Sequence, residues 1–379
     1  MDELAEGKKT DSNIYDVVVI GGGQAGLSLG FYLRRSGLRY VILDGQKLSG
    51  GAWLHGWDSL KLFSPAQWSS LPGWLFPGNP GRYPARDEVI SYLEQYEERY
   101  RLPIKRPVLV KSVKSSGELL EIETSDEIYQ TRAVISATGS WQKPFIPEYP
   151  GRETFTGIQI HSANYKSPEQ FAGKRVLVVG AGNSGAQIMA EVSIFADAIW
   201  ATLEEPQFLP DNVDGRVLFD AASEKYRALT ASATADSSAT GKPKPRDLLG
   251  QIVMVETVKQ ARDRHGLASR RMFERFTENG VVWGDGREVY VDAVVWCTGF
   301  KPALDFLKPL GVVEENGKVE VNGTHSIKEP RLWLVGYGNW TGFASATLIG
   351  VGRSARATVQ EITDKTTQYS LVPFSRMVQ

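Results

Sequence analysis

One short pattern occurs twice in this sequence and limits the fold more than any other feature. An apolar run at residues 14–20 leads into a GxGxxG turn at 21–26, and a second apolar run at 175–179 leads into the same kind of turn at 180–185. Each turn is followed by a helical pattern and another apolar run. Short apolar runs of this type form buried parallel strands. The repeat therefore predicts an α/β fold with two dinucleotide-binding Rossmann-like domains.

The first turn has the residues that a bound dinucleotide requires. Gly21 makes the tight turn, Gly23 lets the backbone approach a pyrophosphate, and Gly26 lets the helix pack closely on the strand. The helix N-terminus presents free N–H groups and a positive dipole to the phosphates. Asp44, at the end of the second apolar run, is placed to accept hydrogen bonds from a ribose. The residues expected to bind the first dinucleotide here are Gly21, Gly23, Gln24, Ala25, Gly26 and Asp44.

The second turn repeats this arrangement. After the strand at 198–202 comes Glu204, where an acidic side chain accepts a hydrogen bond from the ribose 2′-OH of NADH. The next Arg is Arg216, too far along the sequence to be assigned to the 2′-phosphate of NADPH. We therefore expect NADH use to be at least comparable to NADPH use, unless Lys242 or Arg246 supplies the phosphate contact. The residues expected at this site are Gly180, Gly182, Asn183, Ser184, Gly185, Leu203 and Glu204.

The order of these segments predicts that one domain is inserted into another. Two dinucleotides in one chain are most economically a bound flavin and a nicotinamide that donates a hydride to it. We expect a flexible tail at 1–13, a flavin domain at 14–165 and 300–379, and a nicotinamide domain at 166–299. Within the flavin domain, short antiparallel strands are predicted at 108–113, 119–124 and 128–129. A separate buried strand is predicted at 133–137.

Composition excludes several functional classes. The 43 Lys and Arg residues balance 44 Asp and Glu residues, so the chain has no general basic field for nucleic acid. No run approaches the roughly 20 apolar residues that span a bilayer. The first residues have no apolar secretory segment, which predicts a cytoplasmic protein without a membrane partner. Cys297 is the only cysteine, so an internal disulfide, a Cys-rich metal site and a CxxC redox pair are excluded, and no metal site is expected.

Several motifs outside the glycine-rich turns match one enzyme family. The segment at 155–165 reads FxGxxxHxxxY, Gly-Gly-Ala-Trp occurs at 50–53, and the strand-end motifs Ala-Thr-Gly and Cys-Thr-Gly-Phe occur at 137–139 and 297–300. Over about residues 14–362 the sequence resembles the class B flavoprotein monooxygenases. These include flavin-containing monooxygenases, YUCCA-type enzymes and relatives of Baeyer–Villiger monooxygenases. Two further matches, to short bacterial members, are Leu-Phe-Ser-Pro at 62–65 and Gly-Tyr-Gly-Asn-Trp at 336–340.

The resemblance implies FAD and either NADH or NADPH as cofactors, with O₂ and a small apolar organic compound as substrates. In this family reduced FAD reacts with O₂ to give a C4a-(hydro)peroxyflavin, which transfers oxygen to soft nucleophiles such as thioethers; amines and ketones stay open as substrates. The Trp-rich, uncharged flavin segment favours an apolar cavity. The resemblance adds to the cofactor-binding residues Gly51, Ala52, Trp53, Thr138, Gly139, Thr298, Gly299, Gly338 and Asn339.

Three residues are candidates for catalysis. The resemblance places Phe63 near the position where many family members have an Asn that helps to hold the nicotinamide and the peroxide. Phe63 cannot donate a hydrogen bond, so its neighbour Ser64 is the candidate donor. Without such a donor, the oxygenating species is expected to be short-lived and to leak H₂O₂. His161 is expected to orient the linker and the nicotinamide, with general-base catalysis as the alternative role.

Two other functions share this fold and stay open at this point. The first is an NAD(P)H-dependent flavin oxidoreductase or oxidase that reduces an external acceptor without oxygen transfer. A reductase that uses a dithiol is excluded because Cys297 has no partner thiol. The second is a non-enzymatic redox sensor, which would not consume NAD(P)H catalytically in air. A homodimer is also left open.

Overall fold

The computed structural model of the protein describes residues 14–211, 213 and 251–371. The tail predicted at 1–13 lies outside this part of the chain. The helices that the structure describes are α1 (Gln24–Leu33), α2 (Arg86–Tyr100), α3 (Asn183–Phe195), α4 (Glu256–His265) and α5 (Leu348–Leu371). None of them combines the length and the apolar character that crossing a bilayer requires.

The strands form two large sheets and one small sheet. In chain order they are β1 (Ile14–Ile20), β2 (Tyr40–Leu43), β3 (Ile104–Lys105), β4 (Val110–Ser116), β5 (Leu119–Thr124), β6 (Ile128–Ser136), β7 (Ile158–His161), β8 (Arg175–Val179), β9 (Asp197–Thr202), β10 (Ser269–Arg271), β11 (Arg275–Phe276), β12 (Gly280–Val282), β13 (Glu288–Tyr290), β14 (Ala293–Trp296), β15 (Val321–Asn322), β16 (His325–Ser326) and β17 (Leu332–Leu334).

The first sheet carries the first glycine-rich turn. Its strand order is β15–β16–β17–β6–β1–β2–β3, and the hairpin β4–β5 joins it through β6. Strand β1 runs parallel to both neighbours, with Ile20 opposite Leu43 of β2 and Ser136 of β6. Because these strands end level with one another, Asp44 and residues 137–139 lie beside the turn that follows β1.

Both faces of β1 are buried, which explains its uninterrupted apolar sequence. Val17 and Val19 pack in a core with side chains of α1, α2 and α5. Val18 and Ile20 point to the opposite face and pack in a core with side chains of β4 and β5. A strand covered on both sides has no solvent-facing positions, so its residues are apolar in succession.

The second sheet has the order β10–β9–β8–β14–β7, and all of its strands are parallel. Trp296 of β14 lies opposite Val179 of β8 and His161 of β7. The second glycine-rich turn and the end of β14 therefore meet at one edge. The first sheet is parallel from β17 to β3 and antiparallel in its remaining pairs. The α/β fold with two Rossmann-like domains, predicted from the repeat, is confirmed.

One strand lies in a different sheet from the one that the sequence boundaries implied. The predicted flavin domain ran through residue 165, yet β7 at 158–161 pairs with β14 in the second sheet. Strand β14 has two hydrogen-bonding edges, and β8 occupies one of them. Strand β7 occupies the other, so the chain joins the second sheet before the glycine-rich turn of that sheet is reached.

Candidate functional site

A cleft of about 330 Å³ opens at the carboxyl edge of the first sheet. The predicted residues that line it are Gly21, Gly23, Gln24, Ala25, Asp44, Gly51, Ala52, Trp53, Thr138 and Gly139. Gly26 lies behind this surface, where a Cβ atom would be 1.9 Å from the carbonyl oxygen of Gly21. Gly338 and Asn339 form part of a short 3-10 turn outside the lining.

The floor of the cleft is a trough formed by backbone. Gly21 has φ +111°, and a Cβ there would be 2.5 Å from the carbonyl oxygen of Ala137. Gly51 has φ +55°, and its Cβ would be 2.7 Å from the Cα of Gly23. No side chain can stand at either of these two glycines. Gly23 is also the N-cap of α1 and has no side chain to bind the first N–H groups, so those groups are available to an anion.

Gln24 holds three segments together at one side of the trough. The indole Nε1 of Trp53 donates to Oε1 of Gln24 at 3.1 Å. Nε2 of Gln24 donates to the carbonyl oxygen of Ala346 at 2.7 Å. The glycine-rich turn, the 50–53 segment and the loop before α5 are therefore fixed relative to one another by a single amide.

Tyr337 fixes the segment at 137–139. Its hydroxyl is hydrogen-bonded to Oγ of Ser136 at 2.5 Å and to Oγ1 of Thr138 at 2.7 Å, and it accepts from the Thr138 N–H at 3.2 Å. Burial raises the pKa of the Tyr337 hydroxyl above its usual range, so it stays protonated. Sequence analysis did not single out Tyr337, although it lies within the 336–340 motif.

A second cleft, of about 790 Å³, opens at the carboxyl edge of the second sheet. Leu203 and Glu204, predicted to meet a ribose, line it and are exposed. Arg271 lines the same cleft because β10 pairs with β9, with Arg271 opposite Thr202. Its exposed guanidinium has no hydrogen-bond or ion-pair partner among the residues that the structure describes. Lys242 and Arg246, the alternative phosphate partners, lie outside the described residues.

Sequence analysis missed Arg271. It lies well beyond Glu204 in the chain, and no glycine motif marks the strand that carries it. The one available signal was its place in a run of two arginines, at 270–271, before the apolar segments of β11 to β14. The pairing of that run with the strand before Glu204 depends on tertiary structure.

The second glycine-rich turn closes against the end of β14. A Cβ on Gly180 would be 2.4 Å from the carbonyl oxygen of Cys297, and one on Gly185 would be 2.2 Å from the carbonyl oxygen of Gly180. A Cβ on Gly182 would have no neighbour within 4 Å among the described residues. Oδ1 of Asn183 accepts a hydrogen bond from the Val253 N–H at 2.8 Å, and Ser184 follows it in the first turn of α3. Thr298 and Gly299 follow β14 after Cys297.

Comparison with known proteins identifies the family. Residues 18–197 match the family model described as pyridine nucleotide-disulphide oxidoreductase, and residues 251–347 match a second model of that description. The flavin-containing monooxygenase of Stenotrophomonas maltophilia is 50% identical, over 93% of this chain and 99% of that chain, with a TM-score of 0.84. The chain belongs to the flavin monooxygenase family.

Two curated relatives agree with this placement. The oxidoreductase CzcO of Bacillus velezensis is 33% identical over 92% of this chain and 99% of its own length. The probable indole-3-pyruvate monooxygenase YUCCA4 of Arabidopsis thaliana is 27% identical over 96% of this chain and 94% of its own length. The resemblance predicted from the motifs is therefore confirmed. The protein is a flavin-dependent monooxygenase that uses FAD and NAD(P)H, with O₂ and an organic substrate.

The residues of the first cleft fit FAD. The backbone trough between Gly23 and Gly51 leaves room for a pyrophosphate at the N-terminus of α1. Asp44 is 4% exposed and lies at the end of β2, with carboxylate oxygens that can accept from a ribose. The trough and the Asp44 carboxylate are therefore the cradle and the acceptor that a dinucleotide requires.

His161 is held by backbone on both sides of its ring in this flavin monooxygenase. Nδ1 accepts a hydrogen bond from the Ala163 N–H at 3.1 Å, so Nε2 carries the proton and donates to the carbonyl oxygen of Gly299 at 2.9 Å. His161 is 2% exposed. The centroids of its ring and of the Phe300 ring are 4.9 Å apart, in an edge-to-face arrangement. No lone pair is left for a substrate proton. The geometry supports the orienting role and gives no support to general-base catalysis.

The stability contributed by His161 should depend on pH. Burial lowers the pKa of His161 below its ordinary value of 6.5, so its contribution is full above pH 6.5 and is lost as pH falls toward the lower folded-state pKa. We expect His161→Leu to cost about 1–3 kcal/mol of unfolding free energy at pH 7.5, because the buried Ala163 N–H loses its acceptor, whereas the Gly299 carbonyl keeps the Phe145 N–H at 2.9 Å. Denaturant unfolding at pH 7.5 and pH 5 should show a smaller difference from wild type at pH 5.

A matched variant isolates the ionisation in that experiment. His161→Gln keeps one donor and one acceptor but has no titrating group, so it should recover stability at pH 7.5 and lack the histidine-dependent loss at pH 5. The pKa of His55 is also lowered by burial, but His55 is present in all three proteins and cancels in the comparison. A constant difference between wild type and His161→Leu across this pH range would contradict the assigned tautomer.

A buried carboxylate joins the linker to both sheets. Oε2 of Glu191, on α3, accepts from the hydroxyl of Tyr165 at 2.9 Å, and Oε1 accepts from the hydroxyl of Ser59. Burial raises the pKa of Glu191, and these hydroxyl donors partly oppose that shift. Tyr165, which replaces the usual Trp of the linker motif, thus fixes α3 against the segment that follows Trp53.

The structure does not bring Phe63 and Ser64 into the lining of the first cleft. Oγ of Ser64 is hydrogen-bonded to Oγ of Ser69 at 2.9 Å, and Ser64 is 4% exposed. Phe63 packs against Leu209 and Val253 in a small apolar cluster. Ser64 is therefore already bound within the protein, and its assignment as a donor to the oxygenating species stays a prediction.

Proposed function

We propose that this flavin monooxygenase oxygenates small, apolar, soft nucleophiles and acts most readily on the sulfur of thioethers. The observation that carries this proposal is the lining of the first cleft, where Asp44 is the one charged side chain among the described residues. Trp53, Trp141, Phe300 and Phe306 provide much of the remaining wall. An apolar aromatic wall favours a neutral substrate, because a charged one would lose hydration without gaining a partner.

FAD is proposed to lie in the first cleft, at the edge of the first sheet, and NAD(P)H in the second cleft, at the edge of the second sheet, to which β7 at 158–161 also belongs. When bound, FAD accepts the hydride and reacts with O₂. The chain positions it: the N-terminus of α1 binds the pyrophosphate, Asp44 accepts from the ribose, and Gln24 holds Trp53 in place. The aromatic wall excludes water from the reacting groups.

The second cleft supports use of both coenzymes. Glu204 provides an acceptor for the ribose 2′-OH of NADH, and Arg271 provides a cation for the 2′-phosphate of NADPH. Arg271 is the last residue of β10, and Glu204 lies two residues after the end of the adjacent parallel strand β9, so one adenosine site can meet either of them. The proposal is therefore that NADH and NADPH both reduce the enzyme. In the sequence analysis, Glu204 alone indicated the use of NADH.

A matched pair of substrates tests the substrate class. Methyl phenyl sulfide and its 4-carboxylate have the same sulfur and differ by one charge. We expect sulfoxide from the neutral compound, and mainly H₂O₂ from the carboxylate, for the same NAD(P)H consumed. A neutral amine and a ketone of similar size complete the panel. Equal yields from the charged and neutral sulfides would contradict the apolar site, and H₂O₂ alone from every compound would contradict oxygen transfer to this substrate class.

The cytoplasmic location and the homodimer stay predictions. The described residues provide no further observation that bears on either prediction. Gel filtration with light scattering measures the oligomeric state directly, and fractionation of the native host measures the location.

A further inference from the structure

Asp44, the proposed ribose acceptor, is fixed by an arginine that the sequence did not point to. Nε of Arg106 donates to Oδ2 of Asp44 at 2.9 Å. The side chain of Asp44 is 6% exposed and that of Arg106 is 13% exposed, so this ion pair is largely removed from water. Oδ1 of Asp44 accepts from the Gln46 N–H at 3.3 Å. A carboxylate has about four lone-pair sites, so acceptor capacity remains for ribose hydroxyls.

Arg106 also binds a second carboxylate on a different element. Its Nη1 donates to both carboxylate oxygens of Glu97, on α2, at 2.9 and 3.0 Å. One guanidinium therefore separates two carboxylates that carry the same charge. Without it, Asp44 would face the like charge of Glu97 with no cation between them, and its carboxylate would turn away from Glu97. That movement would take the acceptor away from its place beside the cleft.

Stability alone does not account for this arrangement. Buried ion pairs contribute little net stability compared with apolar side chains of similar volume, because both charges lose their hydration. Nη2 of Arg106 is buried without a partner among the described residues, which adds a further cost. The backbone already holds Asp44 without any side chain, through its N–H to Lys105 O at 3.0 Å and its carbonyl to Val108 N at 2.7 Å.

We propose that Arg106 is a positioning residue for FAD, which holds the Asp44 carboxylate in place and aims it at the adenosine ribose. This inference rests on the proposed placement of FAD in the first cleft. Arg106 acts through Asp44, at the adenosine end of the cleft, and does not touch the isoalloxazine end. Its loss should therefore weaken ligands that contain the adenosine half and spare those that lack it.

The test compares FAD with FMN, which lacks the adenosine half. Dissociation constants for both flavins are measured by fluorescence quenching on the deflavinated full chain. Arg106→Met should weaken FAD binding by roughly 10- to 100-fold, as expected for a lost charge-assisted contact, and change FMN binding by less than about twofold. Arg106→Lys keeps the charge but cannot bind Asp44 and Glu97 in the same fork geometry, so it should fall between wild type and Arg106→Met.

Arg331→Met is the control for general damage. Arg331 pairs with Glu329 at 2.8 Å, with side chains 23% and 11% exposed, and lies outside the lining of the cleft. It should lower the melting temperature and leave both flavin affinities unchanged. Unchanged FAD binding in Arg106→Met, or equal weakening of FAD and FMN, would overturn the inference. If Arg106→Met does not fold, Arg106→Lys decides the question, through the same comparison of the loss in FAD affinity with the loss in FMN affinity.

A further variant separates this inference from the placement of FAD. Gly23→Ala should abolish FAD binding if FAD lies in the first cleft. If Gly23→Ala binds FAD normally, the placement is wrong. If Gly23→Ala loses FAD and the Arg106 variants keep it, the placement stands and the role of Arg106 alone is wrong.

Discussion

Gly182→Ala is expected to fold, retain FAD and lose most of its reduction by NADH and NADPH. Gly182 has φ −92° and ψ −179°, an extended conformation open to any residue, and its Cβ would have no neighbour within 4 Å among the described residues. The substitution should weaken binding of the coenzyme, because the second glycine of such a turn lets the backbone approach the pyrophosphate. Anaerobic stopped-flow reduction at limiting coenzyme should slow by roughly 100-fold, the equivalent of about 2.7 kcal/mol.

Gly23→Ala is the matched control in the other sheet. Gly23 has φ −79° and ψ −168°, and its Cβ would meet only the Cα of Gly51 at 3.6 Å, an ordinary contact. This variant should fold and lose FAD, whereas Gly182→Ala should stay yellow and be reduced normally by dithionite. The reverse result would exchange the proposed roles of the two clefts. Normal flavin content and normal coenzyme reduction in both variants would show that neither turn holds a pyrophosphate.

The parts of this fold that were predictable are those whose cause is local in sequence. The GxGxxG turns at 21–26 and 180–185 combine glycines at fixed spacing with apolar runs that need burial on both faces. Each of these signals lies within about 30 residues, the length of one supersecondary unit. The parallel strands of the two large sheets follow from them, as does the edge of each sheet at which a ligand would bind.

Strand β6 is an element that local sequence signals did not predict correctly. Two strands were expected, at 128–129 and 133–137, but residues Ile128–Ser136 form one strand. Its first part, which pairs with β5 at 128–131, alternates between exposed and buried residues, and its last part, which pairs with β17 at 134–136, is buried throughout; β1 pairs along 130–136. The hydrophobic pattern changes where the pairing partner of the strand changes. From the sequence alone, that change indicates a gap between two strands.

The side chains that complete the site were not predictable, since their partners are distant in sequence. Gln24 contacts Ala346 across 322 residues, and Arg106 contacts Asp44 across 62. Arg271 reaches the neighbourhood of Glu204 only through the pairing of β10 with β9. Sequence motifs located the backbone that would cradle a cofactor, whereas the residues that orient the polar groups around it come from the packing of the sheets.

Arg271 and Glu204 should set the choice between coenzymes in opposite directions. Arg271→Gln removes the cation available to the 2′-phosphate, so kcat/KM for NADPH should fall by roughly 10- to 100-fold while that for NADH changes by less than about threefold. Glu204→Gln should lower kcat/KM for NADH and raise that for NADPH, because it weakens the acceptor for the 2′-OH and removes a negative charge beside the phosphate. Steady-state kinetics with both coenzymes measures each effect.

The neighbouring arginine provides the control for this last prediction. Arg270 is on the same strand, but its guanidinium lies over the ring of Trp283 at 5.8 Å, and consecutive residues of a strand point to opposite faces. Arg270→Gln should therefore leave both coenzymes unchanged. Since the contact between Arg271 and a phosphate is exposed, the NADPH advantage that it provides should also shrink as salt is raised. A strong NADPH preference that survives Arg271→Gln would place the ribose site elsewhere and return Lys242 and Arg246 as the phosphate partners.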